Sequence, residues 1–311
     1  MPPERVGTLL DGLVRALFQV SWGRAREWIA GGKIRVNGEP VLDSRFCPPV
    51  EAEIALVPDA PRPPRAADLP AEAIVHLDAH VVVVDKPAGI STVPFERGER
   101  GTLDERLRAL LARRQRGAGS GGRPALGVVH RLDKETTGLL VFTRSWLAKQ
   151  QLSRQFRAHS VHRRYLALAH GRVSSQTIRS VLLADRGDGR RGSTDAAVFG
   201  RTARPEEGRP AVTHVEALEP LDGATLIACR LETGRTHQIR IHLAEAGHPL
   251  LGERVYTRGY DGPWIPAPRV MLHAQELGFV HPATGEALRW TRPPPPDFCG
   301  MLERLRLGLR Q

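Results

Sequence analysis

The stretch GVVHRLDKETTGLLVFTRS, residues 127–145, decides the fold of most of this chain. From Gly138 to Phe142 it is an apolar run bounded by polar residues, which reads as a short buried strand; the polar HRLDKETT ahead of it is then a loop entering the core. A side chain on such a loop can be fixed in a cleft. Asp133 stands there between Arg131 and Lys134, with Glu135 just beyond, and a carboxylate among basic neighbours suggests chemistry on a polyanion.

On the upstream side, IVHLDAHVVVVDKPAGIS (74–91) predicts two short strands, stopped by Pro87 and Gly89. A helix follows, with Thr102 and Glu105 at capping-box spacing and Leu103, Leu107, Leu110 and Leu111 on one face that should cover the sheet. GAGSGG (117–122) reads as a mobile loop and lacks the Lys-Ser/Thr of a phosphate loop. On the downstream side, Ala148, Leu152 and Phe156 recur at helical spacing, whereas Tyr165, Ala167 and Ala169 alternate as on a strand, so Tyr165 should point from a sheet face. Residues 185–210 read as a long basic surface loop. AVTHVEAL (211–218) and TLIACRLET (225–233) predict a strand pair. THQIRIHLAEAG (236–247) predicts a helix begun near Thr236 and stopped by Gly247, with His237, Arg240 and Ile241 on one face. Strands and helices mixed without a regular unit argue for an α+β domain with a mixed sheet.

PDAPRPPRAADLP (58–70) is proline-dense enough to act as a spacer. The chain is therefore expected to divide into a module over 1–57, a Pro-rich linker over 58–73 and a large domain over 74–311. In the module, two short helices precede a hairpin turning at Asn37 and Gly38, and Arg24, Arg26, Lys33 and Arg35 make it basic.

Lys and Arg total 45 against 34 Asp and Glu, a formal charge of +11. That excess favours a phosphate-rich partner, nucleic acid first and an anionic membrane second. The start lacks the succession of a signal peptide and no apolar run approaches a bilayer span, so a cytoplasmic protein is expected. Cys47, Cys229 and Cys299 are odd in number and far apart, which fits reduced thiols and offers no paired-cysteine zinc motif. His237 and His242 could join His130 and Asp133 around a metal, but helical spacing turns the first two to different faces, and no metal is expected.

Taken in order, HRLDKETTGLLVFTRS, RRYLALAHG, GRPAVTHVEAL, ETGRTHQIRIHLAEAGHPLLGERVY and MLHAQELGFVHPATGEALRWTRPPPPDF resemble the RluA-type family of RNA pseudouridine synthases, over residues 74–298. The upstream module resembles the small RNA-binding domain named after ribosomal protein S-four. The resemblance implies a mixed, mainly antiparallel sheet flanked by helices and loops, beside a small α/β module. It implies isomerisation of specific uridines in structured RNA without a cofactor: the glycosidic bond to nitrogen breaks, the uracil turns, and carbon 5 bonds to the sugar. Asp133 matches the family's catalytic aspartate, Arg131 the arginine that fills the space left by the flipped base, Tyr165 the tyrosine stacked on the uracil, and Arg240 the basic partner of the aspartate. His130, Arg235 and His237 are expected beside the RNA, His130 with a structural hydrogen bond as its default. Arg24, Arg26, Lys33 and Arg35 would extend the RNA footprint, making ribosomal RNA of the 23S type the first substrate expected and transfer RNA the second, with no obligate protein partner.

The sequence departs from the family pattern at Thr137, where serine is common, at Arg163, where lysine is common, and over 183–210. A noncatalytic RNA-binding or ribosome-assembly factor is the competing reading. The joint presence of Asp133, Tyr165 and Arg240 argues against it. A metal-dependent phosphodiesterase would use the histidines and the same basic surface.

Overall fold

In the computed structural model, residues 9–42, 44, 46–48, 52–60, 69–95, 99–116, 125–184, 191–194 and 208–309 are described. The chain parts between Ala67 and Asp68 into two units.

The first unit holds α1 (Leu10–Phe18), α2 (Trp22–Ala30), β1 (Ile34–Val36), β2 (Glu39–Pro40) and β3 (Ile54–Leu56). Leu10 and Val14 from α1 and Ala25 and Ile29 from α2 close over Ile34, Val36 and Ala52. Ser21 caps α2 by accepting from the Arg24 N–H. The expected hairpin forms: Asn37 and Gly38 both have positive φ, 53° and 82°, the conformation a two-residue turn requires. β3, which pairs with the other edge of β1, had no sequence signal because three residues carry no periodicity. Most of the proline-rich segment, residues 61–68, lies outside the described residues.

The second unit runs β4 (Ile74–Leu77), β5 (Val81–Lys86), α3 (Leu103–Arg116), β6 (Gly127–Val128), β7 (Thr137–Thr143), α4 (Trp146–Arg157), β8 (His162–His170), β9 (Gln176–Leu183), β10 (Gly192–Ser193), β11 (Arg209–Leu221), β12 (Ala224–Leu231), α5 (Gln238–Glu245), β13 (Leu272–Val280), β14 (Ala287–Thr291) and α6 (Pro296–Arg306). One sheet of order β10-β9-β11-β12-β8-β13-β7-β5-β4 carries them, with β14 on β13 and β6 on β7. Every pairing is antiparallel except β7 with β13, so the sheet is mixed and mainly antiparallel as expected. At that parallel contact Gly138 has φ 104°, and an added Cβ would lie 2.3 Å from the Ala274 carbonyl oxygen. Only glycine lets the two strands approach there.

Alternation along the strands sorts the core. Val82, Val84, Leu140, Phe142, Tyr165 and Ala167 face α3 and α5 through Leu103, Leu107, Leu111, Ile239 and Leu243. On the other face, Val81, Val83, Leu139 and Val141 meet Ala148 and Leu152 of α4, and Leu166 and Leu168 meet Phe298 and Met301 of α6. Each such side chain, fully withdrawn from water, contributes roughly 1.5–3 kcal/mol.

Three expectations need correction. Glu105 does not complete a capping box: its carboxylate accepts from the Gly101 N–H, while Thr102 donates to Asp104. The loop expected over 185–210 contains β10, and Arg209 and Pro210 already belong to β11. Residues 185–190 and 195–207, like the GAGSGG stretch, lie outside the described residues. The helix expected to begin near Thr236 starts two residues later, at Gln238, because His237 takes a left-handed conformation, φ 57°, ahead of the first turn.

Candidate active site

The loop between β6 and β7 is held at successive backbone groups. The buried Thr92 hydroxyl accepts from the Leu132 N–H at 3.1 Å and lies 2.8 Å from the Leu132 carbonyl, to which it donates. Lys86, ending β5 and fully buried, donates to the carbonyls of Pro87, Lys134 and Thr136 at 3.0, 3.0 and 2.7 Å. The Gly89 N–H adds a second bond to the Lys134 carbonyl, and Arg269 donates to that of Glu135 at 3.2 Å. An ammonium has three donors, and here all three are used on main chain around one acid. Burial lowers the Lys86 amine to about 7.

Asp133, set between these anchors, keeps 19% of its side chain exposed. Arg240 of α5 approaches it with Nη1 3.7 Å from Oδ2, so the pairing expected from sequence is present as proximity rather than as a tight bond. The reason is Glu253. Its carboxylate, with no exposed side-chain surface, takes Nε and Nη2 of Arg240 at 2.7 Å each, and also accepts from the N–H groups of Arg254, Val255 and Tyr256. Glu253 thereby fixes the guanidinium, and the remaining Nη1 points a positive edge at Asp133. The close pair with Glu253 drives Arg240 above its ordinary range and Glu253 below its own, both against the penalty of burial.

His237 places Nε2 3.8 Å from Asp133 Oδ1, and its Nδ1 is 2.7 Å from the Tyr256 hydroxyl. Burial pushes this imidazole down to about 4, so at neutral pH it is an uncharged polar group. Tyr165 is 7% exposed and shares one apolar cluster with Leu132, next to Asp133, and Ile239, next to Arg240. Burial raises its phenol above the ordinary range, so the ring is a neutral face with an O–H donor. Arg131 is exposed and reaches the Thr236 hydroxyl at 2.6 Å, bridging the loop to the start of α5. Arg235 donates to the Pro210 carbonyl at 3.1 Å.

His130 is turned to structural work. Its Nε2 accepts from the Val141 N–H at 3.1 Å, its ring stacks on Phe156 at 4.6 Å, and burial lowers it to about 3, which leaves no cation for RNA. Arg163 is likewise buried, donating to the Leu231 and Glu232 carbonyls, and Thr137 meets His273 at 2.9 Å. His242 turns to Thr213 and Ser180, away from Asp133. In the first unit, Arg24 pairs with Glu27, Arg26 with Asp11, and Arg35 with the Gly38 carbonyl, while Lys33 is half-buried. Sequence reading missed Glu253, Lys86, Thr92 and Arg269. The available signal was weak: DKPAG marks a lysine at the end of an apolar strand, where burial of the charge demands acceptors.

Chemically, the site offers a positioned carboxylate, an electrostatic partner that does not bind it tightly, and an apolar platform beside it. Two human proteins share this architecture. RNA pseudouridylate synthase domain containing 4 matches with a TM-score of 0.59 at 24% identity, over 76% of this chain and 93% of that one. Domain containing 1 matches with 0.56 at 24%, over 75% and 94%. The fold is that of pseudouridylate synthase domains. The family model for RNA pseudouridylate synthase matches residues 80–245, a span that contains Asp133, Tyr165 and Arg240 and more than half of the chain, and the S4 domain model matches residues 8–47. This chain belongs to the RNA pseudouridylate synthase family, whose activity is the isomerisation of uridine to pseudouridine in RNA. It is 36% identical over 318 residues to the ribosomal large subunit pseudouridine synthase D of Zymomonas mobilis, covering 99% of this chain and 96% of that protein. Against the protein of the same name in Nitrosomonas europaea it is 39% identical over 238 residues, covering 75% of this chain and 65% of that one. Among the described residues, no helix is long and apolar enough to cross a membrane.

Proposed function

We propose that this protein converts uridines of large-subunit ribosomal RNA to pseudouridine, with Asp133 as the group that acts on the sugar. The observation that carries the reading is the division of labour at Arg240: Glu253 takes two of its nitrogens at 2.7 Å, while Asp133 stands 3.7 Å from the third. An aspartate locked in a forked pair would be a poor nucleophile. One that feels the charge without the fork stays available to the substrate.

In this reading the target uridine leaves its stack, because the pocket must enclose base and ribose together. Asp133 acts at the ribose, the bond from C1′ to N1 breaks, the uracil turns, and C5 bonds to C1′ as the C5 proton is lost. Tyr165 supports the base by its face, its hydroxyl near that proton. Arg131 fills the gap left in the RNA, and Arg235 and His237 line the entry. The S4 unit, through Arg24, Lys33 and Arg35, adds phosphate contacts that favour a large structured RNA. The ribosomal assignment draws support from the names of the near full-length relatives.

The test is tritium release from RNA transcribed with 5-tritiated uridine. The wild type should release label from large-subunit ribosomal RNA, and Asp133→Asn should lose on the order of 10⁴-fold in rate while still binding the transcript. Normal release by that variant would remove Asp133 from the chemistry; release from transfer RNA alone would overturn the ribosomal assignment.

A further inference from the structure

α4 carries a feature that the uridine site does not use. Its sequence, WLAKQQLSRQFR, has no acidic residue, and its outward face presents Trp146, Lys149, Gln150, Arg154 and Arg157, all exposed. Lys149, Gln150, Ser153, Arg154 and Arg157 line an open depression of about 290 Å³, so the charge is concave rather than scattered. From Lys149 to Arg157 the face extends about 12 Å along the helix axis.

Most basic surface residues are simply solvated. Two observations together single out this face. Some exposed arginines are matched with acids, as in Arg24 with Glu27, Arg289 with Glu276 and Arg306 with Glu219, while others, such as Arg172 and Arg179, are not; on α4 two unmatched arginines share one depression with Lys149. Among the described residues, Arg154 and Arg157 have no acidic partner. Secondly, the face joins the catalytic loop mechanically. Lys149 donates to the Val128 carbonyl, and Phe156, on the same helix, stacks on His130, three residues before Asp133. Trp146, 73% exposed at the first turn, adds a bare aromatic face at one end of the cationic strip. Uncompensated guanidinium groups along a concave strip, with an exposed indole at its end, match a single RNA strand: phosphates meet the cations and a base stacks on the ring.

We infer that the outer face of α4 is a second RNA-docking surface, which grips a strand of the substrate through Arg154 and Arg157 outside the uridine pocket. The proposal rests on the reading that the substrate is ribosomal RNA. Guanidinium-to-phosphate contacts here would hold the flanking strand while α4, through Phe156 and His130, keeps a fixed relation to the loop of Asp133.

The experiment uses the full chain and large-subunit ribosomal RNA transcribed in vitro, with affinity measured by filter binding from 50 to 300 mM salt. Arg154→Glu/Arg157→Glu should weaken binding roughly tenfold and flatten the log–log salt slope by about 1.4 to 1.8, the share of two phosphate contacts. Arg154→Gln/Arg157→Gln should show a smaller loss in the same direction. Arg289→Glu/Arg306→Glu changes net charge equally at acid-paired sites and should shift the slope far less. Unchanged affinity and slope in the first variant, or an equal shift in the charge-matched control, would overturn the proposal. Failure of the wild type to release tritium from this RNA would strike the ribosomal reading alone, since the binding comparison reads α4 independently of turnover.

Discussion

In the second unit the side chains around Asp133 are fixed from within: Lys86 spends all three donors on main chain, Thr92 brackets Leu132, and Glu253 holds Arg240 with no exposed surface of its own. In the first unit the cations lie on the outside of a small core, and Arg24 pairs with Glu27 while both stay more than half exposed. The difference matches the two tasks proposed for these regions. Acting on one bond requires a carboxylate placed to within a fraction of an ångström, whereas gripping a polyanion requires charge at roughly the right density. Substitutions in the first region should therefore be costly and specific, and those in the second small and sensitive to salt.

The largest effect that sharpens this contrast is expected at Glu253. Glu253→Gln leaves Arg240 buried with one neutral and one charged neighbour, and the guanidinium should close on Asp133 to form the forked pair that the native arrangement prevents. Catalytic rate should fall about 10²- to 10³-fold with KM little changed, and the unit should lose about 3–5 kcal/mol, the usual cost of breaking a buried ion pair. Single-turnover tritium release and urea unfolding measure the two. A variant that unfolds earlier yet keeps its rate would reduce Glu253 to a structural residue. A variant with neither change would remove the contrast between the regions.

What could be read from the sequence divides along the same line. The strand at 137–143, the alternation that buries Tyr165, the turn at Asn37 and Gly38 and the helix carrying Arg240 all follow from local spacing. So did the association of Asp133, Tyr165 and Arg240, through resemblance. Lys86 reaches Thr136 across 50 positions, Thr92 reaches Leu132 across 40, and Glu253 comes to Arg240 from a loop beyond α5. No periodicity encodes such pairs. For His130 the default expected from sequence, a structural hydrogen bond, is what the structure has: it accepts from the Val141 N–H and its ring lies on Phe156.

Acid offers a second, intermediate test, since every histidine of the chain lies at or beyond His76. Burial lowers His170, His237, His242 and His273 to about 4 and His130 to about 3. The unfolded chain therefore binds more protons than the folded one between its ordinary imidazole value of about 6.5 and these lowered values, so stability falls as pH drops through that window. For His170, His242 and His273, each 1% exposed or less, the loss is up to about 3 kcal/mol per ring by pH 4. Asp78, lowered to about 2 chiefly by the hydrogen bonds it accepts, which outweigh its burial, carries the loss further into acid, while Asp85, raised by burial, opposes it in part. Thermal melts from pH 7 to pH 4 should show the transition of the second unit moving down steeply and that of the first moving little. Parallel shifts in both would break the comparison.

The smallest effects are expected in the first unit, where Arg24 and Arg26 make a matched pair of opposites. Arg24 is 56% exposed and bonded to an exposed Glu27, a pair worth under about 1 kcal/mol that phosphate can displace. Arg26 is bonded at 2.9 Å to Asp11, whose side chain is 7% exposed in the first turn of α1, so its charge is committed to holding the two helices together. Arg24→Ala should therefore weaken binding of ribosomal RNA two- to fivefold and reduce the salt slope by about 1, with no change in melting temperature. Arg26→Ala should lower the melting temperature of the first unit, because it leaves the Asp11 carboxylate buried without its cation, and its salt slope should stay near that of the wild type. Reversal of the two outcomes would show that exposure and partner burial are poor guides to which cation meets RNA, and with that the distinction between fixed and displaceable charge would fail in the unit where it is easiest to measure.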